Sequence, residues 1–447
     1  MTDITYESLQ KEVWKIKEIA ISHGLDFYPV DFEIITKKDM IEFATYVLPS
    51  RYSHWTFGKD FGRLQKLHDL GILQILEMVI NSNPARAFLL DSNTQIENSM
   101  VIAHVLAHCD FFKNNYWFSK SNQRMLDEAQ FYEQRLRDLE FKHGKKTIEN
   151  ILDITISIQW YVDFYGMFED KRKRKKILPQ HDYSKYQLDK ESEKNRRPSD
   201  VREKSQSKKR DIIGFLIDNA PLKDYEREIL EIIESESLYF MPNALTKIMN
   251  EGWATYWHTE LMKEHLDFDE FTKFSIKNAS LLSTSGLNPY RLGYTIYNSI
   301  INSLGINAGT KKIFEIRKFE DDVSFIRNYL TQEICDECGL FIYDTDPDTG
   351  EKKITSTEVD DIKQYILQKL INLGNPVIVV ADGDYKGNKE LLLEHIHDNR
   401  ELDFAYAEDV LRNIYKLWRR NVHLSTIKDE KNVIMSFDGK DIKYEEK

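Results

Sequence analysis

Residues 101–115 read VIAHVLAHCDFFKNN. The run reads as helix, and His104 and His108 stand four apart within it, so both imidazoles fall on one helix face. Such a pair can present two nitrogens to one ion with no help from a loop. The same pattern also describes two histidines that are merely satisfied in a core or at a surface. The remainder of the chain has to decide between these.

Outward from this helix, the first 165 residues are mostly helical in pattern. ITYESLQKEVWKIKEIAISHGL carries apolar positions at helical spacing and stops at Gly24. KKDMIEFATYVLPSRYSHWTFGKDF reads as a helix broken near Pro49, then an aromatic-rich loop. FGRLQKLHDLGILQILEMVINSNP reads as helix, and a short strand-like piece in ARAFLL precedes the long histidine-bearing helix. QRMLDEAQFYEQRLRDLEFKHG continues the helical pattern.

From Lys171 to Arg210 charges dominate and apolar residues are few, the composition of an exposed linker or excursion that cannot order itself alone. Helix resumes in DYEREILEIIESESLYF, and Pro242 is expected in the first turn of the following helix, where proline is tolerated. Further on, GLFIYDTDPDTGEKKIT predicts a hairpin with Asp348, Thr349 and Gly350 in its turn. STEVDDIKQYILQKLINLG is an amphipathic helix, PVIVVADGDYKGNKELLLEHIHD starts as a buried strand, and YAEDVLRNIYKLWRRNVHLSTI runs from helix into strand. The expectation is an α+β protein, predominantly α-helical. A helical main domain spans residues 1–331 and a small α+β domain spans residues 332–447.

Of the 447 residues, 41% are hydrophobic and 30% charged, which suits a globular chain with a core. The net charge of −12 argues against nucleic acid as the main partner, because phosphate contacts need clustered positive charge. No apolar run is long enough to span a bilayer. The charged, amphipathic start lacks the apolar core of a secretory signal. Cys109, Cys335 and Cys338 cannot form a disulfide framework and suit a reducing compartment. A cytoplasmic location is expected.

A second stretch gives the histidine pair its context. In NEGWATYWH, Glu251 and His258 are seven apart and share a helix face. A carboxylate from a separate helix is what completes a His–His–Glu zinc site with one position left open. Glu-Gly-Trp-Ala resembles the third-ligand segment of gluzincin-type peptidases, where small residues after the glutamate allow two helices to approach. The expected ligands are therefore His104, His108 and Glu251, in a zincin-like main domain, with zinc or another divalent metal as cofactor. Three duties fit His258: a fourth ligand, a partner behind the ligands, or a substrate contact.

The zinc-protease signature H-E-x-x-H places a glutamate directly after the first histidine to take a proton from bound water. Here that position is Val105, which cannot. Substitutes are Asp110, Glu236 and His54, with Tyr52 a further possibility. Asp110 fits equally well as a carboxylate that orients one of the histidines.

FYPVDFEII, LPSRYSHWTFGK, VIAHVLAHCDFFKNN, TKIMNEGWATYWH, GLNPYRLG and LWRRNVHL together resemble, in order, the stage V sporulation protein R (SpoVR) family, from about residue 25 to about residue 425. The resemblance implies a bacterial or archaeal cytoplasmic protein. It further implies a link to the spore cortex, a peptidoglycan layer, in spore formers, and elsewhere to stress or nutrient responses alongside a serine-kinase partner. The family shares the His-x-x-x-His form without the glutamate, so Val105 is no local loss. By position, His54, His104, His108, Asp110, Asn114, Asn115, Glu251 and His258 match the family's polar blocks. Arg419 and Arg420 depart from it, since the family more often has Gly-Arg or Gly-Phe there. His423 follows in the same block.

Other signals are read more plainly. Cys335 and Cys338 form one C-x-x-C without the second pair that a structural zinc site needs. They are read as ordinary thiols. ADGDYKGNKE lacks the glycine order of a phosphate cradle and is read as a turn between strand and helix. His395 and His397 are read as surface residues. Arg51, Tyr52 and His54 are core aromatics and their neighbours, or the lining of a pocket.

Two functions of different class follow. One is a metal-dependent hydrolase acting on an amide bond in a peptide or peptidoglycan-related substrate. The other is a non-catalytic regulator or scaffold that keeps a zincin-like core.

Overall fold

The computed structural model describes residues 6–46, 51–56, 59, 77–168, 210–283, 287–345 and 350–446. The protein is predominantly helical with a small C-terminal sheet domain, so the α+β, mostly α expectation is met. Its contacts group the chain into two compact units. Unit 1 holds residues 1–138 and 239–375, and unit 2 holds residues 139–238 and 376–447. Residues 332–375, read from the sequence together with the tail, thus lie in unit 1. The charged segment expected over 171–210 falls almost wholly outside the described residues, as does Pro49.

Unit 1 is built around α1 (Tyr6–Ser22), α2 (Gln95–Asn114), α3 (Lys247–His265), α4 (Phe268–Leu282), α5 (Pro289–Leu304) and α6 (Ile306–Phe319). Helix α3 packs against both α2 and α5, and α1 lies across α2 and α3. In α2 every residue from Asn98 to Phe112 is buried, and α3 is buried almost all round from Ile248 to Met262. A helix enclosed on all sides has no wet face for polar groups, so each polar side chain it carries must find a partner inside. The start of α2 is fixed by a capping box, in which the Thr94 hydroxyl accepts from the Glu97 N–H and Glu97 accepts from the Thr94 N–H.

A three-stranded sheet precedes α2. Strand β3 (Ala85–Leu90) pairs parallel with β1 (Val30–Ile35) and antiparallel with β2 (Glu77–Ile80). The strand-like piece before the histidine helix is therefore β3. The EMVI end of the stretch read as helix is instead β2, because its register with β3 satisfies its backbone inside a sheet. The predicted hairpin pairs β4 (Ile342–Thr345) with β5 (Lys352–Ser356), and its turn residues 346–349 lie outside the described residues.

Pro242 differs from expectation. It sits in the last turn of helix Asp224–Leu245, not the first turn of α3. The break between the two helices falls at Thr246, whose hydroxyl bonds back to the Pro242 carbonyl.

In unit 2 a five-stranded sheet runs β10-β9-β8-β7-β6, with β6 Val377–Tyr385, β7 Glu390–Ile396, β8 Val422–Lys428, β9 Lys431–Phe437 and β10 Ile442–Glu446. β7 and β8 are parallel, joined through helix Phe404–Trp418 as a βαβ unit. ADGDYKGNKE turns between two strands, β6 and β7, rather than between strand and helix. Lys386 and Gly387 take positive φ there, as a tight hairpin requires. His395 is buried, not at the surface, and its Nδ1 lies 2.9 Å from the Thr426 hydroxyl.

Candidate metal centre

One helical turn separates His104 from His108, and the enclosure of α2 points both rings at α3. Each ring is held by its Nδ1. That of His104 is 2.8 Å from Nδ1 of His258, and that of His108 is 2.9 Å from Oδ1 of Asn250. The two Nε2 atoms then face one oxygen of Glu251, the residue after Asn250 on α3. His104 Nε2 is 3.6 Å and His108 Nε2 3.5 Å from Glu251 Oε2. One ligand atom from each of the three residues lies within 4.8 Å of the others. The histidine side chains are 4% and 7% exposed and that of Glu251 19%, so the carboxylate residue is the most exposed of the three.

These separations fit a shared ion better than a direct bond. A hydrogen bond needs a heavy-atom distance near 2.9 Å, and 3.5–3.6 Å is too long for a good one. Ligands at about 2.0–2.2 Å from a tetrahedral zinc stand about 3.3–3.6 Å apart. Glu251 Oε2 is buried and has no hydrogen-bond donor among the described residues. Burial opposes charge on Glu251, yet the two facing imidazoles, when protonated, outweigh it and hold the carboxyl far below the ordinary carboxylate range. Two imidazoles and an anionic carboxylate are the donor set of a divalent transition metal.

Close backbone packing sets Glu251 in place. A Cβ on Gly252 would lie 2.4 Å from the Cα of Gly293 on α5, and a Cβ on Gly293 would lie 2.2 Å from the carbonyl oxygen of Ile248. The small residue after the glutamate does allow a close helix approach, and the partner helix is α5. Asp322 fixes the other end by accepting the N–H groups of Ile248 and Met249 at 2.8 and 2.9 Å, which caps α3 from a separate segment.

The remaining expected residues fall as follows. His258 is fully buried, with Nδ1 on His104 and Nε2 3.0 Å from Asn278 Oδ1, so both ring nitrogens are engaged. Burial holds its pKa well below the usual histidine value. Asp110 lies outside the three-residue group. Its Oδ1 accepts the Asp26 N–H at 2.8 Å, its Oδ2 accepts the Trp253 indole N–H at 2.9 Å, and Arg317 stands 3.5 Å away. Burial raises its pKa to about 6, against the pull of Arg317 and its hydrogen bonds. His54 is buried in unit 1 with Nδ1 2.8 Å from the Thr56 hydroxyl, and Tyr52 is buried beside the Arg51 guanidinium. Glu236 is buried in helix Asp224–Leu245, in unit 2. Val105, where H-E-x-x-H would have its glutamate, is fully buried.

The sequence reading passed over Asn250, Asn278 and Tyr290, whose ring stacks 6.1 Å from that of His104. Asn250 had a signal, a polar residue directly before the candidate ligand. Asn278 had none, because only the fold brings α4 to His258.

Comparison with known proteins agrees with this chain-wide pattern. The family described as "SpoVR like protein" matches residues 3–375, and the "SpoVR-like C-terminal domain" matches residues 376–429. The chain is similar to "Uncharacterized protein YcgB" of Escherichia coli (strain K12), 27% identical over 474 aligned residues that cover 94% of this chain and 92% of the relative. No solved structure matches it. On matches that run nearly end to end, the chain belongs to the SpoVR family.

Proposed function

We propose that the chain holds a divalent metal, zinc by preference, on His104, His108 and Glu251, and uses it to hydrolyse an amide bond. The observation that carries this reading is the convergence of two imidazole Nε2 atoms on one carboxylate oxygen at 3.5–3.6 Å. A bound zinc supplies a lowered pKa for water and polarisation of a carbonyl. The chain's own residues do the rest. Asn250 and His258 hold the two rings, and Glu251 supplies the negative charge that keeps a dication in place. Proton transfer falls to His54 or Asp110, which lie in unit 1 with the three ligands. Of these, Asp110 is the less suited, because donors occupy both its oxygens. The family name supports a role in sporulation, and the reading adds to it a peptide or peptidoglycan precursor as substrate and a zincin-like ancestry for the helical core.

A second reading rests on Val105. A buried valine where a zincin carries its base suits a metal-binding regulator without catalysis, one whose partners include a serine-kinase pathway. Zinc-loaded full-length protein incubated with a panel of peptides and peptidoglycan fragments separates the two. Cleavage that is lost in His104→Ala and Glu251→Ala establishes the hydrolase. Zinc-bound protein that cleaves nothing in the panel removes it in favour of the regulator.

A further inference from the structure

The hydrogen bonds behind His104 have a direction, and it can be traced from a fixed end. Thr259 Oγ1 lies 2.8 Å from the Thr255 carbonyl oxygen, which can only accept, so the single hydroxyl proton is committed there. Thr259 Oγ1 is then an acceptor for the Asn278 amide nitrogen at 3.1 Å. That contact turns Asn278 Oδ1 toward His258 Nε2 at 3.0 Å. An amide oxygen accepts, so His258 Nε2 carries the proton and its Nδ1 presents a lone pair. At 2.8 Å from that lone pair, His104 Nδ1 must donate. His104 Nε2 is left with its lone pair facing Glu251.

We propose that His258 and Asn278 are positioning residues that lock His104 in the Nδ1–H tautomer and so make Nε2 its metal-ligating atom. The inference rests on the metal reading above and adds to it the source of the ligand's orientation. The more common partner of a ligating histidine is a carboxylate or a backbone carbonyl. Here a second imidazole takes that place, and it can do so only because its own far nitrogen is committed to Asn278. All three links are buried, with Asn278 and Thr259 each 7% exposed and His258 0%, so no bulk water competes for them. His108 reaches the same tautomer by a shorter route, through the Asn250 amide oxygen.

Asn278→Ala removes the acceptor and frees His258 to turn its proton toward His104, which puts the proton of His104 on the wrong nitrogen. Asn278→Asp keeps an oxygen in the same place, and Thr259 can rotate to serve the other one. The experiment uses full-length protein with 15N-labelled histidine. Long-range 1H–15N spectra of metal-free protein report the His104 tautomer, and zinc titration reports affinity. Expected are an Nδ1–H His104 in wild type and in Asn278→Asp, its loss in Asn278→Ala, and zinc affinity lowered about 10- to 100-fold in Asn278→Ala alone. An Nε2–H His104 in wild type overturns the inference. So does wild-type zinc affinity in folded Asn278→Ala, or equal loss in the Ala and Asp variants, which a merely structural asparagine would give. Wild-type protein that binds no zinc would contradict the metal reading instead, and the tautomer spectra would still decide this one.

Discussion

Arg419 closes helix Phe404–Trp418 with φ +59, the left-handed conformation in which glycine is the usual residue. The glycine that the family resemblance implies for this position would sit there without strain, whereas this chain places an arginine there. The compensation is visible. Arg419 Nη2 binds both oxygens of buried Glu226 at 2.8 and 2.5 Å, and Nη1 donates to the Pro221 carbonyl. Arg419→Gly relieves about 1 kcal/mol of backbone strain but leaves Glu226 without its guanidinium, a larger loss even for a half-exposed arginine. A net destabilisation of about 1–2 kcal/mol is expected by urea denaturation, reduced when Glu226→Gln is added. An Arg419→Gly protein as stable as wild type would show that the pair contributes nothing. Single residues also mark what the sequence disclosed. His104, His108 and Glu251 were legible because helical spacing fixes which side chains share a face. Asn278 was not, since its contact with His258 depends on how α4 packs.

At the scale of elements, the candidate metal centre depends on a glycine-to-glycine crossing. Helices α3 and α5 approach so closely at Gly252 and Gly293 that either side chain would meet backbone, not a movable side chain. Gly252→Ala should push α3 away from α5, cost about 1–3 kcal/mol of stability and weaken zinc binding, because Glu251 is the adjacent residue. Denaturation and zinc titration check both effects, and an alanine variant unchanged in both would mean the crossing relaxes freely. Elements were readable where helical spacing was clear, as in α1 and α2. Two readings failed for reasons of context. EMVI has a helix-compatible composition but is claimed by pairing with β3, and Pro242 lies in the last turn of one helix where the sequence placed it in the first turn of the next. Burial of α2 on every side was likewise invisible to a periodicity argument, although it is what forces its histidines to find partners.

On the scale of the whole molecule, the family boundary at residues 375 and 376 coincides with a boundary in the chain's contacts, but the C-terminal family segment is only one part of its unit. Residues 376–447 share unit 2 with residues 139–238. The Tyr161 hydroxyl bonds the Pro376 carbonyl at 3.1 Å, Phe215 stacks on Trp418, and Glu226 holds Arg419. A fragment ending at residue 375 is therefore expected to leave residues 139–168 and 210–238 unprotected in hydrogen exchange while α2 and α3 stay protected. Full protection of both regions would contradict that grouping. A sequence reading could not find such a unit, because its two parts are separated by 137 residues of unit 1, residues 239–375. The central claim belongs to unit 1 and has a direct test, the metal content of purified full-length protein after incubation with zinc and removal of excess. The account predicts about one zinc per chain, absent from folded His104→Ala and Glu251→Ala. Wild-type protein that retains no metal, or variants that keep it, would contradict the account.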